Sequence, residues 1–127
     1  MNNDELLRKL KQLKTEDFVW IIYIGIIFFS WYANSLERKY FVYNDLNSKE
    51  KYRKIMIGIF SVLIIVYLYF LKDSYEDVKN IDFNNPNNNQ NLIILSFIAS
   101  LLIAISGFIF LYIAIQDEEL SVELAFN

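Results

Sequence analysis

Cysteine and histidine are absent from the 127 residues, proline occurs once and glycine three times. Without cysteine there is no disulfide, thiolate nucleophile, iron–sulfur ligand or cysteine-linked lipid anchor. Without histidine there is no Ser-His-Asp triad, no imidazole metal ligand and no side chain whose ordinary pKa lies near neutrality. Neither a metal nor a cofactor is expected. The acidic groups adjacent in sequence, Glu76 with Asp77 and Asp117 with Glu118 and Glu119, sit on polar stretches that imply no pocket. With no nucleophile–base pair and no phosphate-cradling glycine loop, the expectation is a protein that is not an enzyme.

What the chain has in quantity is apolar and aromatic residues, 55% and 17% of the total. They concentrate in three charge-free runs, 18–36, 55–71 and 92–115, of 19, 17 and 24 residues. Each falls in the range of about 17 to 25 residues that crosses roughly 30 Å of hydrocarbon. A soluble bundle would need a charged face on each helix, and none of the runs carries one. Trp20, Trp31 and Tyr32 flank the first run, Tyr67 and Tyr69 close the second and Tyr112 closes the third, where amphipathic rings favour the membrane interface. Residues 33–35 are small enough for a signal peptidase, but four acids in the preceding 17 residues are unlike a basic leader, so the first run is expected to remain as an anchor.

The expected architecture is all-α: a small polytopic membrane protein with three transmembrane helices and an N-terminal amphipathic helix. In order it comprises an amphipathic juxtamembrane helix (1–15), a first span (16–36), a basic aromatic hairpin loop (37–54) and a second span (55–71). An acidic, Asn-rich flexible loop (72–91), a third span (92–115) and an acidic tail (116–127) complete it. Leu6, Leu7, Leu10 and Leu13 recur at helical spacing in the first segment, and Thr15 before Glu16 and Asp17 reads as a fresh N-cap that separates this helix from the span. Asn47 with Glu50 fits a capping box after a turn at 44–48, so that both helices of the hairpin project beyond the bilayer. Residues 72–79 extend the second helix, whereas 84–91 read as a flexible connection. In the acidic tail Leu120, Val122, Leu124 and Phe126 alternate with smaller or polar residues, a period that also suits strand addition, but the tail is expected to be a solvated, unstructured terminus.

Arg38, Lys39, Lys49, Lys51, Arg53 and Lys54 surround the first loop, interleaved with Tyr40, Phe41, Tyr43 and Tyr52. At a membrane edge such residues contact lipid headgroups, and nucleic-acid binding is not expected because a domain-wide basic footprint is missing. Each side of a three-span topology would carry six basic residues, a tie under the positive-inside rule. The four basic residues immediately before the second span break it, placing the first loop and the tail in the cytoplasm. Were the first run only to dip into the membrane, ten basic residues would face two; its length favours a full crossing.

No ionisable residue lies within any of the runs, which argues against a proton-coupled or ion-coupled carrier. Ser96, Ser100, Ala104, Gly107 and Ala114 form a stripe of small residues on the third run, with Gly58 and Ser61 in the second and Gly25 in the first expected to meet it. The function expected is that of a non-enzymatic accessory, scaffold or regulatory subunit acting through helix packing and flank contacts. The alternative is a small oligomeric, holin-like pore, with Ser96, Ser100 and Ser106 toward a wet path. The expected partners are the lipid bilayer and either a second copy or a larger membrane protein.

Overall fold

The computed structural model describes residues 2–84 and 89–124, and among these the chain is helical, with no strand. Three helices follow one another: α1 (Asn3–Tyr43), α2 (Leu46–Lys79) and α3 (Asn89–Gln116). All three are long and apolar enough to cross a membrane.

α1 begins where the Asn2 side chain accepts the Glu5 amide at 2.8 Å and runs without interruption for 41 residues, about 60 Å at 1.5 Å per residue. The break expected at Thr15 is therefore absent. Instead of capping a new helix, the Thr15 hydroxyl donates back to the Lys11 carbonyl at 3.2 Å, a bond available to threonine inside a continuing helix. The leucine-rich segment and the first apolar run are one rod.

The first loop is tighter than its sequence suggests. Asn44, in the left-handed region at φ 53, ends α1, and Asp45 caps α2. The Asp45 carboxylate accepts the Asn47 amide at 3.1 Å and the Ser48 hydroxyl at 2.8 Å, so the cap lies two residues before the expected Asn47. The two helices project as a hairpin with two residues between them. At the other end, α2 continues through 72–79 as expected. Residues 85–88, within the expected flexible connection, lie outside the described residues, and α3 starts at Asn89.

α2 is the central helix: α1 and α3 each pack on it, and among the described residues they make no close backbone approach to one another. The most deeply buried large side chains, Met56, Phe60 and Leu63, accordingly all belong to α2. Phe60 stacks on Phe110 of α3 at 5.6 Å between ring centroids, and Ile26, Ala33 and Leu36 cover the other side from α1. The fully buried residues of α3 are small: Ala104, Gly107 and Ala114.

The apolar runs of α2 and α3 differ by seven residues, and packing decides where the excess goes. Arg53, just before the second run, bonds the carbonyl of Ile115, the last residue of the third, so the two runs end flush at the first-loop side. At the opposite side Ser74 meets Ser100 and Tyr75 packs on Phe97. The first two turns of the third run, about 10 Å, thus lie beside the polar end of α2.

Candidate functional site

At the flush end the tail folds back over the helices. The Asp117 carboxylate accepts from the Ser121 amide at 3.1 Å, the Ser121 hydroxyl at 2.9 Å and the Val122 amide at 2.7 Å. These bonds offset the cost, about 1 kcal/mol, of holding Leu120 at a left-handed φ of 54. Burial opposes ionisation of Asp117, but the donors from Val122 and Ser121 outweigh it and hold the carboxyl below its usual range. The turn delivers Leu124 into the core near Tyr52, Met56 and Ala114, where it is buried. Tyr52 in turn hydrogen-bonds Glu37 of α1.

The expectation of an unstructured tail is therefore corrected over 117–124; residues 125–127 lie outside the described residues. Alternation in 120–124 reflects a hook, in which a side-chain carboxylate satisfies the backbone of the turn and Leu124 is buried in the core. Glu119 adds two outer contacts: it accepts from the Tyr40 hydroxyl at 3.4 Å and lies 3.6 Å from Lys49 Nζ, which sits 5.2 Å from the Tyr40 ring centroid. Glu119 is largely exposed, so this ion pair contributes little beside the burial of Leu124.

At the opposite end, a cavity of about 330 Å³ opens between all three helices, with Tyr23, Tyr67, Asp73, Asp77, Ser96 and Ser100 among its walls. Asp73, Ser74 and Ser100 in its walls take part in bonds between helices. Gln12 of α1 donates to Asp73 of α2, and Ser74 and Ser100 share a bond of 3.1 Å between α2 and α3. The helix ends beyond the apolar runs are thereby tied from both flanks of α2.

The residues singled out in the sequence separate into distinct surroundings. Gly107 stands close against α2: a Cβ there would lie 3.1 Å from Tyr67 Cδ2 and 3.2 Å from Ile64 Cγ1. Ala104 is buried nearby, Ser100 is half-buried against Ser74 and Ser96 is exposed at the cavity mouth. Gly25 and Gly58 do not face this stripe. They line a groove of about 370 Å³ between α1 and α2, with Ile22, Phe29, Ile55 and Val62, and α3 contributes nothing to it. Large side chains of α2 fill the small positions of α3, which leaves the glycines of α1 and α2 to face one another. Ser61 spends its hydroxyl on the Ile57 carbonyl at 2.7 Å within its own helix.

The basic residues separate as well. Arg53 and Lys49 are half-buried and engaged, by Ile115 and by Glu119 and Tyr40 respectively. Arg38, Lys39, Lys51 and Lys54 remain exposed around the same end. Among the described residues no group of three or more acidic side chains is placed to hold a metal. Sequence reasoning overlooked Asp117, Leu124, Tyr52 and the Gln12–Asp73 pair. Only the first left a legible signal, an aspartate at the end of an apolar run followed four residues later by serine.

Fold and surroundings define a class: an all-helical chain with three helices apolar enough to cross a membrane, consistent with a multi-pass membrane protein. Comparison with known proteins gives no match to any family, curated protein or solved structure.

Proposed function

We propose that the chain is a multi-pass integral membrane protein working by contact, as a non-enzymatic accessory, scaffold or regulatory subunit. The observation that carries this reading is the open flank of α1. Among the described helices only α2 makes a close backbone approach to it, and it turns Trp20, Ile24, Ile27, Phe28 and Trp31 outward, all more than half exposed. Such a surface is matched to lipid and to a neighbouring transmembrane helix. The partner is a second copy or a larger membrane protein.

The hairpin end and the hooked tail are placed in the cytoplasm in this reading, supported by the exposed Arg38, Lys39, Lys51 and Lys54 gathered there. Because the chain has no native cysteine, a cysteine introduced at Asn3 reports orientation directly: an impermeant maleimide labels it from outside intact cells in this topology.

Of the serines offered for a pore, Ser96 and Ser100 line one cavity and Ser106 lies away from it. Ser100 is bonded into the α2–α3 seam, while Ser106 is exposed and returns its hydroxyl to the Leu102 carbonyl at 2.9 Å. Purification in mild detergent with mass identification of co-purifying membrane proteins, alongside dye release from liposomes, tests the reading. A stoichiometric partner or a defined homo-oligomer with silent liposomes supports it; rapid dye release overturns it in favour of a pore.

A further inference from the structure

We infer that the groove between α1 and α2 holds one acyl chain of an anionic phospholipid, with Lys51 and Lys54 at its phosphate; the inference rests on the membrane reading above. The groove is open space rather than loose packing. Gly25 and Gly58 line it from the two helices, and a Cβ built on either meets no atom within 4 Å. Every residue lining it is apolar or glycine.

Its length selects a chain over a helix. On α2 it runs from Ile55 to Val62, about 10 Å, within the roughly 15 Å of one leaflet's hydrocarbon. Deeper along the hairpin the seam closes, with Val19 of α1 and Val66 of α2 buried. A groove confined to one leaflet and open toward the headgroup layer fits an acyl chain that enters from that side.

Charge at the mouth selects the headgroup. Lys51 precedes Ile55 by four residues and Gly58 by seven, and Lys54 precedes Gly58 by four, so both lie on the groove's stripe of α2 just beyond its loop-side end. Helical side chains lean toward the N-terminus, which here carries the two amines away from the apolar wall and into the headgroup layer. Both lysines are exposed, unlike the engaged Lys49 and Arg53.

The test reconstitutes the full chain in liposomes containing phosphatidylglycerol or phosphatidylcholine that bears a photoactivatable group midway along one acyl chain. Labelled peptides are mapped after flotation. Labelling concentrates on the groove-lining Ile22, Gly25, Phe29, Ile55, Gly58 and Val62, and phosphatidylglycerol is preferred by about fivefold per lysine. Gly25→Leu with Gly58→Leu, which the open space accommodates, reduces groove labelling to the level at outward-facing Ile24 and Ile27. Lys51→Gln with Lys54→Gln removes the preference for phosphatidylglycerol and leaves phosphatidylcholine labelling unchanged. A floating chain whose groove labelling survives the leucine pair, whose two lipids label equally, or whose groove cross-links to a second copy instead, overturns the site alone. A chain that fails to float overturns the membrane reading and the site with it.

Discussion

Arg53 donates through Nη2 to the main-chain carbonyl of Ile115 at 2.8 Å, so a cation at the start of α2 satisfies the last turn of α3. A cation at a helix C-terminus also favours the helix dipole. One side chain thus ends α3 and sets its height against α2, and with it the projection of the third apolar run at the far side.

Arg53→Met keeps the apolar stem and removes the bond, at an expected cost of about 1.5 kcal/mol. Thermal unfolding in detergent reads the loss, and double electron–electron resonance between labels near Tyr75 and Phe97 reads the register. Unchanged stability together with unchanged distances would remove Arg53 from this role.

The three glycines should respond with opposite signs. Gly25→Ala and Gly58→Ala fill open space and favour the helix by about 0.5 to 1 kcal/mol each. Gly107→Leu drives a side chain into Tyr67 and Ile64 and costs about 2 kcal/mol. Unfolding in a graded mixture of denaturing and mild detergent ranks the variants, and a destabilised Gly58→Ala would contradict the groove.

Leu124→Ala should release the tail. The site lies beyond the apolar runs, where water is the alternative environment, so the lost burial costs about 2 kcal/mol locally. Limited proteolysis after Asp117 should accelerate in this variant and stay near the parental rate in Glu119→Gln, because the exposed pair with Lys49 contributes little. Equal protection in both variants and the parent would place the hold on the tail elsewhere.

The hook should also open in acid. The carboxyl of Asp117 is held below its ordinary range, so its contribution is complete above the ordinary carboxylate pKa of about 4 and is lost as pH falls through the lowered value. A fluorophore on Glu118→Cys, unique in a chain without cysteine, should lose anisotropy only in that acid window. With Asp117→Asn added, anisotropy should be low at every pH; a parent that is flat down to pH ~2 would count against the carboxylate.

The three apolar helices were legible in the sequence because each run is long, apolar and free of charge over its whole length, which are local properties. The projecting hairpin was legible for a related reason, since polar helical residues continue past 36 and before 55. The break at Thr15 was misread because threonine that caps a helix and threonine that bonds back within one look alike until the chain's direction is known. The tail was misread because burial of Leu124 depends on a pocket made by residues far away in sequence.

The sequence by itself determined how many helices there are, how apolar each is and which charges border them, all consequences of composition within about 20 residues. Tertiary packing alone decided that α2 is central and that Gly107 meets Tyr67 while Gly25 and Gly58 face a groove. It also decided that Lys49 and Arg53 are engaged while Lys51 and Lys54 are exposed. Uniformly apolar helices encode no preferred face in their hydrophobicity, so shape decides which face packs: large side chains of α2 seat against small ones of α3, and polar bonds at the ends set the heights.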